Sequence, residues 1–591
     1  GPGLVWDLNG LTNGTLRIAA TVSLAPINLG VRVNGSRLEL SWPPDHIGWW
    51  LESQTNALDV GLSTNWYPVP GSLGTNWLSL PIDPRAETVF YRLVYASIKD
   101  LRQAAANRRR RIIYNNDGAE PARSMTSPTV QNLLEIRTLG LENTQVDSIF
   151  YTPRCSGFGL FTYFTTIGSI FTATGASYGN NMMGPLLAAG IDPLRVMVDF
   201  SRQHGIEIFC SFRMNDTHDG TANADAPVIF SANALKVNHP EYLLGTADND
   251  PPIGAWTAVD YARPEIRELA FRFAEEVCTN YDVDGIELDF FRHPVFFKST
   301  AAGSLATAAE RTAMTELMQR IRAMADDVGR ARAKPILIAM RVPDSVEYCR
   351  AIGLELDIWL ANDLLDLLVV SSYFQLHDWD YSVALARQYG VKIYPSLDES
   401  RISDPTAQAM RMTDRAYRGR AANVWGFGAD GVYMFNFFDR LSPLWQQLGK
   451  TQVLSGLDKD YFGSVRGAVN SAGGNLAYAS YQTIEKLNPS NTKTLAPGSS
   501  ATARINVGED LSQAGAVNLK FRLQFSTAVN PQFLSVTCNS QPLTIAGTNQ
   551  LWVEYSAAPS VVQQVTNHVQ VTLSPSASQV IWRDLLLEVR H

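Results

Sequence analysis

The chain has 591 residues, 45% hydrophobic and 18% charged, with a net charge of -8 and a pI near 5.6; this is a soluble globular composition, too long for one core, and it predicts two to four domains. The mildly acidic balance offers no general attraction to nucleic acid or to an anionic membrane. Five scattered cysteines without CxxC or CxxH spacing argue against a zinc site and against a disulfide framework.

No apolar run approaches the roughly 20 residues of a membrane span. The chain opens Gly-Pro-Gly with neither a basic nor an apolar leader, so any export signal is expected to have been removed. A secreted, periplasmic or cell-surface location is then expected from the domains alone.

From about Leu4 to Tyr95 short alternating runs are separated by Gly, Pro, Asn and Asp: RLELSW from Arg37, WWLESQT from Trp49, NWYPVP from Asn65 and VFYRLVY from Val89. That spacing predicts an all-β sandwich over residues 1–96. The stretch Arg37 to Tyr95 resembles fibronectin-type-III-like modules of secreted bacterial proteins, which space or dock. Trp42, Trp49, Trp50 and Trp66 supply flat surfaces that suit either a sugar ring or a sandwich core.

Residues 97–110 read as a helical basic linker that runs into the four arginines Arg108 to Arg111, a run expected to be solvated in an acidic protein. Beyond it, apolar runs alternate with helical patterns. Eight candidate strands begin at Ile112, Ser148, Ile206, Asp284, Ile336, Leu367, Lys392 and Gly431. They predict a (β/α)8 barrel over residues 111–455, with its active site at the C-terminal ends of the strands. Asp192-Pro193 and Gly205 punctuate one helix, and Thr307 to Val328 forms a long amphipathic one. Long insertions at Pro153 to Pro185, rich in aromatics, and at Arg213 to Tyr261 are placed where such barrels build substrate walls. Past Gly456 the period returns to two, predicting a second β-sandwich over 456–591.

The most informative stretch is YDVDGIELDFFRHP, Tyr281 to Pro294. After the helix break at Asp284-Gly285, Ile286, Leu288 and Phe290 alternate with Glu287 and Asp289, which sends both carboxylates to one face of a strand. In a barrel strand whose other face is covered by helices, the acids look inward. There they are costly unless paired, protonated or used.

The polar residues at the strand ends lack a GxSxG elbow, a phosphate-binding loop and a dinucleotide fingerprint. Carboxylates among amide and guanidinium donors fit glycoside hydrolysis. In this reading Asp289, nearer the mouth, acts directly, and Glu287, one layer deeper, tunes it. Glu399 past the seventh strand is the preferred partner, with Asp378 as the alternative. Arg213, Asn215, Asp216, His218, Arg292, His293, Tyr373, Asp378 and Asn436 are the expected substrate contacts. Asp216, His218 and Asp219 also offer metal-ligand types, set against hydroxyl recognition and loop capping; no metal or cofactor is expected. Arg292 and His293 either read an acidic or sulfated sugar or neutralise Asp289.

YDVDGIELDFFRHP together with FRMNDTHDG, WTAVDYARPEIRE and GADGVYMFNFFD resembles the glycosyl-hydrolase-like family ten proteins, barrels of exported bacterial proteins. The resemblance implies carbohydrate cleavage without naming the carbohydrate. Asp284-Gly285 and Asp289 also resemble the DGxDxDxE strand of family eighteen chitinases, but Phe291 stands where that family has its catalytic glutamate, so its catalysis is not carried over. The rival readings are a non-catalytic carbohydrate-binding barrel, a lyase or a deacetylase. The expected partner in each case is a poly- or oligosaccharide.

Overall fold

The computed structural model describes residues 4–7, 17–20, 23, 25–72, 75–95, 98–153, 157–332, 334–371, 373–466, 478–513 and 517–591. Cys155, part of the Pro153 to Pro185 insertion and part of both terminal modules lie outside these. The chain divides into two compact units: Gly1–Asn107 with Arg322–Leu337, and Arg108–Ile321 with Ile338–His591.

In the first unit two three-stranded antiparallel sheets are formed, Gly30–Asn34 with Arg37–Ser41 and Trp77–Pro81, and Tyr67–Pro68 with Trp50–Asn56 and Thr88–Val94. Leu40, Trp42, Leu51 and Val69 form a core cluster. Trp49 and Trp50 are buried as well, so these indoles pack rather than face solvent, and Trp66 is covered by the Arg92 guanidinium at 4.2 Å. The helix Ile98–Ala106 carries Arg102, which reaches Asp326 at 3.5 Å.

The second unit holds a closed eight-stranded parallel barrel: β1 Ile112–Asn116, β2 Val146–Tyr151, β3 Glu207–Arg213, β4 Gly285–Asp289, β5 Leu337–Val342, β6 Leu367–Val370, β7 Lys392–Leu397 and β8 Val432–Phe435, in sequential order around the ring. All eight arise in the apolar runs that predict them. Local chemistry sets the punctuation: the Asp192 side chain caps the helix Pro193–His204 by accepting from Leu194 N at 3.0 Å, and Gly205 ends it at φ 66°.

The four-arginine run is only half solvated: Arg108 and Arg109 are exposed, while Arg110 and Arg111 are not. Arg110 is fully buried beside β1 and forks onto Glu207 at the start of β3, with N···O distances of 2.6 and 2.7 Å, while Ser148 of β2 donates to the same carboxylate at 2.6 Å. Arg111 pairs with Asp147. Three strands are thereby stitched together by one charged network, and the carboxylates that make Arg110 and Arg111 structural lie far along the sequence.

The insertion after β2 also departs from expectation. Phe158, Phe161, Tyr163 and Phe171 are buried, and Phe158 and Phe161 pack on Phe273 of the helix Pro264–Asn280 at centroid separations of 5.5 and 4.9 Å. These rings are the insertion's own core and its anchor, not a substrate wall.

Beyond the barrel, antiparallel strands from Lys459 to Arg590 form a six-stranded and a four-stranded sheet. Runs such as Asn518–Phe525 alternate buried and part-exposed residues along their length. The barrel and this sandwich are keyed together. Arg411 of the barrel forks onto Asp584 at 2.7 and 2.9 Å with both side chains buried. Gly426, ending the helix Asp414–Gly426, meets Gly508 backbone to backbone: a Cβ on Gly508 would lie 1.9 Å from the Ala422 carbonyl oxygen. Among the described residues no helix is long and apolar enough to cross a membrane.

Candidate active site

The site grows out of β4. Its register sets Ser211 of β3 beside Glu287 and Arg213 beside Asp289. Glu287 points inward, fully buried: its Oε2 accepts from Ser211 Oγ at 2.5 Å and from the Tyr433 hydroxyl of β8 at 3.0 Å. Burial, and then the neighbouring Asp289, push its carboxyl up to about 7. Oε1 has no partner among the described residues.

Asp289, one layer nearer the mouth, is held differently. Arg341 of β5 forks onto it, Nε to Oδ1 at 3.0 Å and Nη2 to Oδ2 at 2.6 Å. The backbone N–H groups of Phe291 and Arg292 add two further bonds to Oδ1, each 3.0 Å. Oδ1 is therefore saturated, whereas Oδ2 accepts a single bond and keeps a lone pair free. Arg341 is itself buried; burial opposes its charge, but Asp289 outweighs this and raises its pKa. The guanidinium is sandwiched, 4.0 Å from the Phe435 ring and 5.5 Å from Phe291, so Phe291 serves as packing for the ion pair.

Around this pair lies a second constellation, from the loops after β3 and β4. Asp216 binds Arg213 Nη1 at 3.0 Å and His218 Nδ1 at 2.5 Å. Arg292 Nη2 meets His218 Nε2 at 2.7 Å. A guanidinium only donates, so Nε2 accepts and His218 is the neutral Nδ1–H tautomer. Likewise Thr217 N donates to His293 Nδ1 at 3.1 Å, which makes Nδ1 an acceptor. Burial first and Arg292 next lower the pKa of His293 well below its usual value; burial and the same arginine also lower that of His218, against the pull of Asp216. Burial works against the Asp216 carboxylate, but His218 and Arg213 hold it well below the usual carboxylate range. His293 adopts a left-handed backbone at φ 57°, a strained conformation for a non-glycine.

Arg292 does not neutralise Asp289 with its side chain, since Arg341 fills that role; its guanidinium instead donates to the Tyr373 hydroxyl. Tyr373 lies under Arg401 at 4.2 Å, and Arg401 pairs with Glu399 at 2.8 Å. Glu399 is half exposed, so it stands at the rim, joined to Arg292 through Arg401 and Tyr373. Asn436, at φ 52° after β8, carries a buried Oδ1 without a partner.

Three expected site residues are engaged elsewhere. Asn215 is buried, with its amide spent on the backbone of Val259 and Val295, tying down the insertion. Asp378 turns to the C-terminal sandwich, where it takes Arg504 and, at 2.8 Å, Asn506. Asp219 is locked to buried Lys236 at 2.7 Å, which removes it from any metal set. Asp216, His218 and His293 do bring one ligand atom each within 4.8 Å of one another. Both His218 nitrogens and His293 Nδ1, however, are occupied by the protein bonds above, and Arg213 and Arg292 crowd the same space with positive charge. The donor set does not fit a cation.

Two buried acids were not singled out by sequence reasoning. Glu120, in the single π-turn Glu120–Ser124 after β1, accepts from Asn116 Nδ2 at 2.5 Å, and burial raises its pKa. Asp344, just past β5, accepts the backbone N–H groups of Leu376 and His377, and burial raises it to about 6. Position just past a barrel strand was the one signal available for either.

No protein-family model matches the chain, and no curated protein does. Among solved structures it is similar to the GH36 α-galactosidase AgaA from Geobacillus stearothermophilus, 10% identical over 97% of this chain and 73% of that chain, with a TM-score of 0.34. It is similar to a family GH18 chitinase from Chromobacterium violaceum, 11% identical over 82% of this chain and 89% of that one, TM-score 0.31. A third is the PgaB (BpsB) glycoside hydrolase domain from Bordetella bronchiseptica, 9% identical over 55% of this chain and 93% of that one, TM-score 0.34. These neighbours are glycoside hydrolases. The strand pairing itself defines the class: a multidomain (β/α)8 barrel protein with flanking β-sheet domains.

Proposed function

We propose that the protein is a glycoside hydrolase acting on a poly- or oligosaccharide at the C-terminal face of the barrel. The observation that carries the reading is the unequal carboxylate pair on β4. Glu287 holds its proton up to about pH 7, while Asp289 is clamped by Arg341 with one oxygen left open. A buried carboxyl that keeps its proton beside an aspartate fixed by a guanidinium is an arrangement suited to acid–base and nucleophilic work on a glycosidic bond.

In this reading Asp289 Oδ2 acts on the anomeric centre or on its attacking water. Arg341 fixes its orientation and Glu287 limits the negative charge beneath it. Glu399 at the rim, paired with Arg401, is the partner carboxylate of Asp289. Arg213 Nε, Arg292 Nε and Arg341 Nη1 are buried donors without partners among the described residues, suited to sugar hydroxyls. The resemblance of the Tyr281 to Pro294 stretch to glycosyl-hydrolase-like family ten, and of the stretch Arg37 to Tyr95 to fibronectin-type-III-like modules, supports the same reading and an exported protein.

The test is turnover on a panel of polysaccharides, with product mass analysis, for the wild type and for Asp289→Asn. A catalytic Asp289 loses roughly 10²- to 10⁴-fold in kcat with the fold intact. A folded variant that keeps more than about a tenth of wild-type kcat refutes the role. Sugar binding without turnover in the wild type would leave a carbohydrate-binding barrel.

A further inference from the structure

Away from β4, a cavity of about 60 Å³ lies in the seam between the barrel and the C-terminal sandwich. Arg420 and Asn423 of the helix Asp414–Gly426 line it from the barrel side; Arg466, Lys486 and Arg504 line it from the other. The charges there do not balance. Arg504 is answered by Asp378 and Arg466 by Asp398, while Glu485 is taken by Lys493. Asp344 draws on Lys486 electrostatically, but its oxygens accept the backbone N–H groups of Leu376 and His377. Arg420 is buried and its nearest carboxylate oxygen, Asp398 Oδ1, is 3.9 Å away and already engaged by Arg466. Both Nη atoms of Arg420 and Nζ of Lys486 are buried with no hydrogen-bond partner of good geometry among the described residues; Tyr417, whose ring lies 4.8 Å from the Arg420 guanidinium, is a polar neighbour that brings no compensating negative charge.

Buried cationic donors left unmatched are costly, and a counter-ion is the ordinary remedy. Burial and the neighbouring Arg466 bring Arg420 down to about 10; burial brings Lys486 to about 8. At 10–15 Å³ for each water-sized group, the cavity has room for roughly four to six of them, the size of a tetrahedral oxyanion. We propose that this seam cavity binds a sulfate or phosphate group through Arg420 and Lys486, either as the free ion or as a substituent on a sugar chain. Asn423 Oδ1, also buried and unpartnered, then accepts from a hydroxyl on the ligand, which hydrogen phosphate or a sulfated sugar has and bare sulfate lacks. The site is independent of the chemistry on β4.

The experiment is calorimetric titration of the full chain with sodium phosphate, sodium sulfate and a sulfated oligosaccharide, each against sodium chloride at matched ionic strength. The fluorescence of Trp379, which lines the cavity, gives a second readout. Saturable one-to-one binding is expected, and Arg420→Met and Lys486→Met should each weaken it about tenfold or more, as for a lost charge-assisted hydrogen bond. Saturation by phosphate identifies the free ion as sufficient; saturation by the sulfated sugar alone identifies the substituent. Absence of saturable binding to all three below about 10 mM, the weak end of specific recognition, overturns the proposal. So does binding that both variants leave unchanged. If Arg420→Met fails to fold, the less buried Lys486→Met decides.

Discussion

Replacing Glu287 by glutamine should change how stability depends on pH, because the wild-type carboxyl carries a proton in the fold that the unfolded chain does not keep. Below about pH 4.5 both states are protonated and the contribution of Glu287 is fully present. Between there and about 7 the unfolded chain releases its proton while the folded one retains it, so stability falls as pH rises and the loss is complete above the folded value. The interval is about 2.5 pH units, worth about 3 kcal/mol at 1.36 kcal/mol per unit. Glutamine does not titrate. Its amide nitrogen, placed where Oε1 has no partner, adds an offset of about 1–3 kcal/mol that is the same at every pH. The difference between wild type and Glu287→Gln should therefore move by about 3 kcal/mol in favour of the variant from pH 4.5 to pH 8. A multidomain chain does not unfold in one step, so urea series should be read through hydrogen-exchange protection of the Gly285–Asp289 amides. A gap constant to within about 1 kcal/mol across that range would refute the assignment of a protonated Glu287.

Arg341→Met should destabilise the barrel by about 3–5 kcal/mol, since Asp289 keeps its two backbone bonds but loses its counter-charge. Adding Asp289→Asn to it should restore part of that loss, as a double-mutant cycle in urea would read. Arg110→Met should cost about 3–5 kcal/mol by stranding Glu207 at the base of the barrel, whereas exposed Arg108→Ala should leave the urea midpoint unchanged. Gly508→Ala should force the sandwich off the Asp414–Gly426 helix at a cost of about 1–3 kcal/mol or more, seen as faster limited proteolysis at the seam; an unchanged digestion rate would contradict the close approach.

The barrel was legible in the chain because its determinants are local. An apolar run followed by a helical pattern bounded by a capping Asp192 and a left-handed Gly205 is readable within a dozen or so residues, and so is the fact that Glu287 and Asp289 share a face. That both acids look inward followed from the helices covering the other side. Partners are a different matter, because charge pairing is decided by proximity across the fold. Arg110 reads as one of four solvated arginines until Glu207 arrives from 97 positions away. Arg341, not the adjacent Arg292, clamps Asp289, because β5 lies beside β4 and delivers a planar fork at its level. Asp378 sits at a strand end as an active-site acid would, yet the sandwich brings Arg504 and Asn506 to it. Sequence by itself determined which segments become strands and which residue types stand at their ends. Only the tertiary structure decided which carboxylate is neutral, which is paired and which donors are left unmatched, because burial and the distance between charges belong to the assembled barrel and not to any stretch of chain.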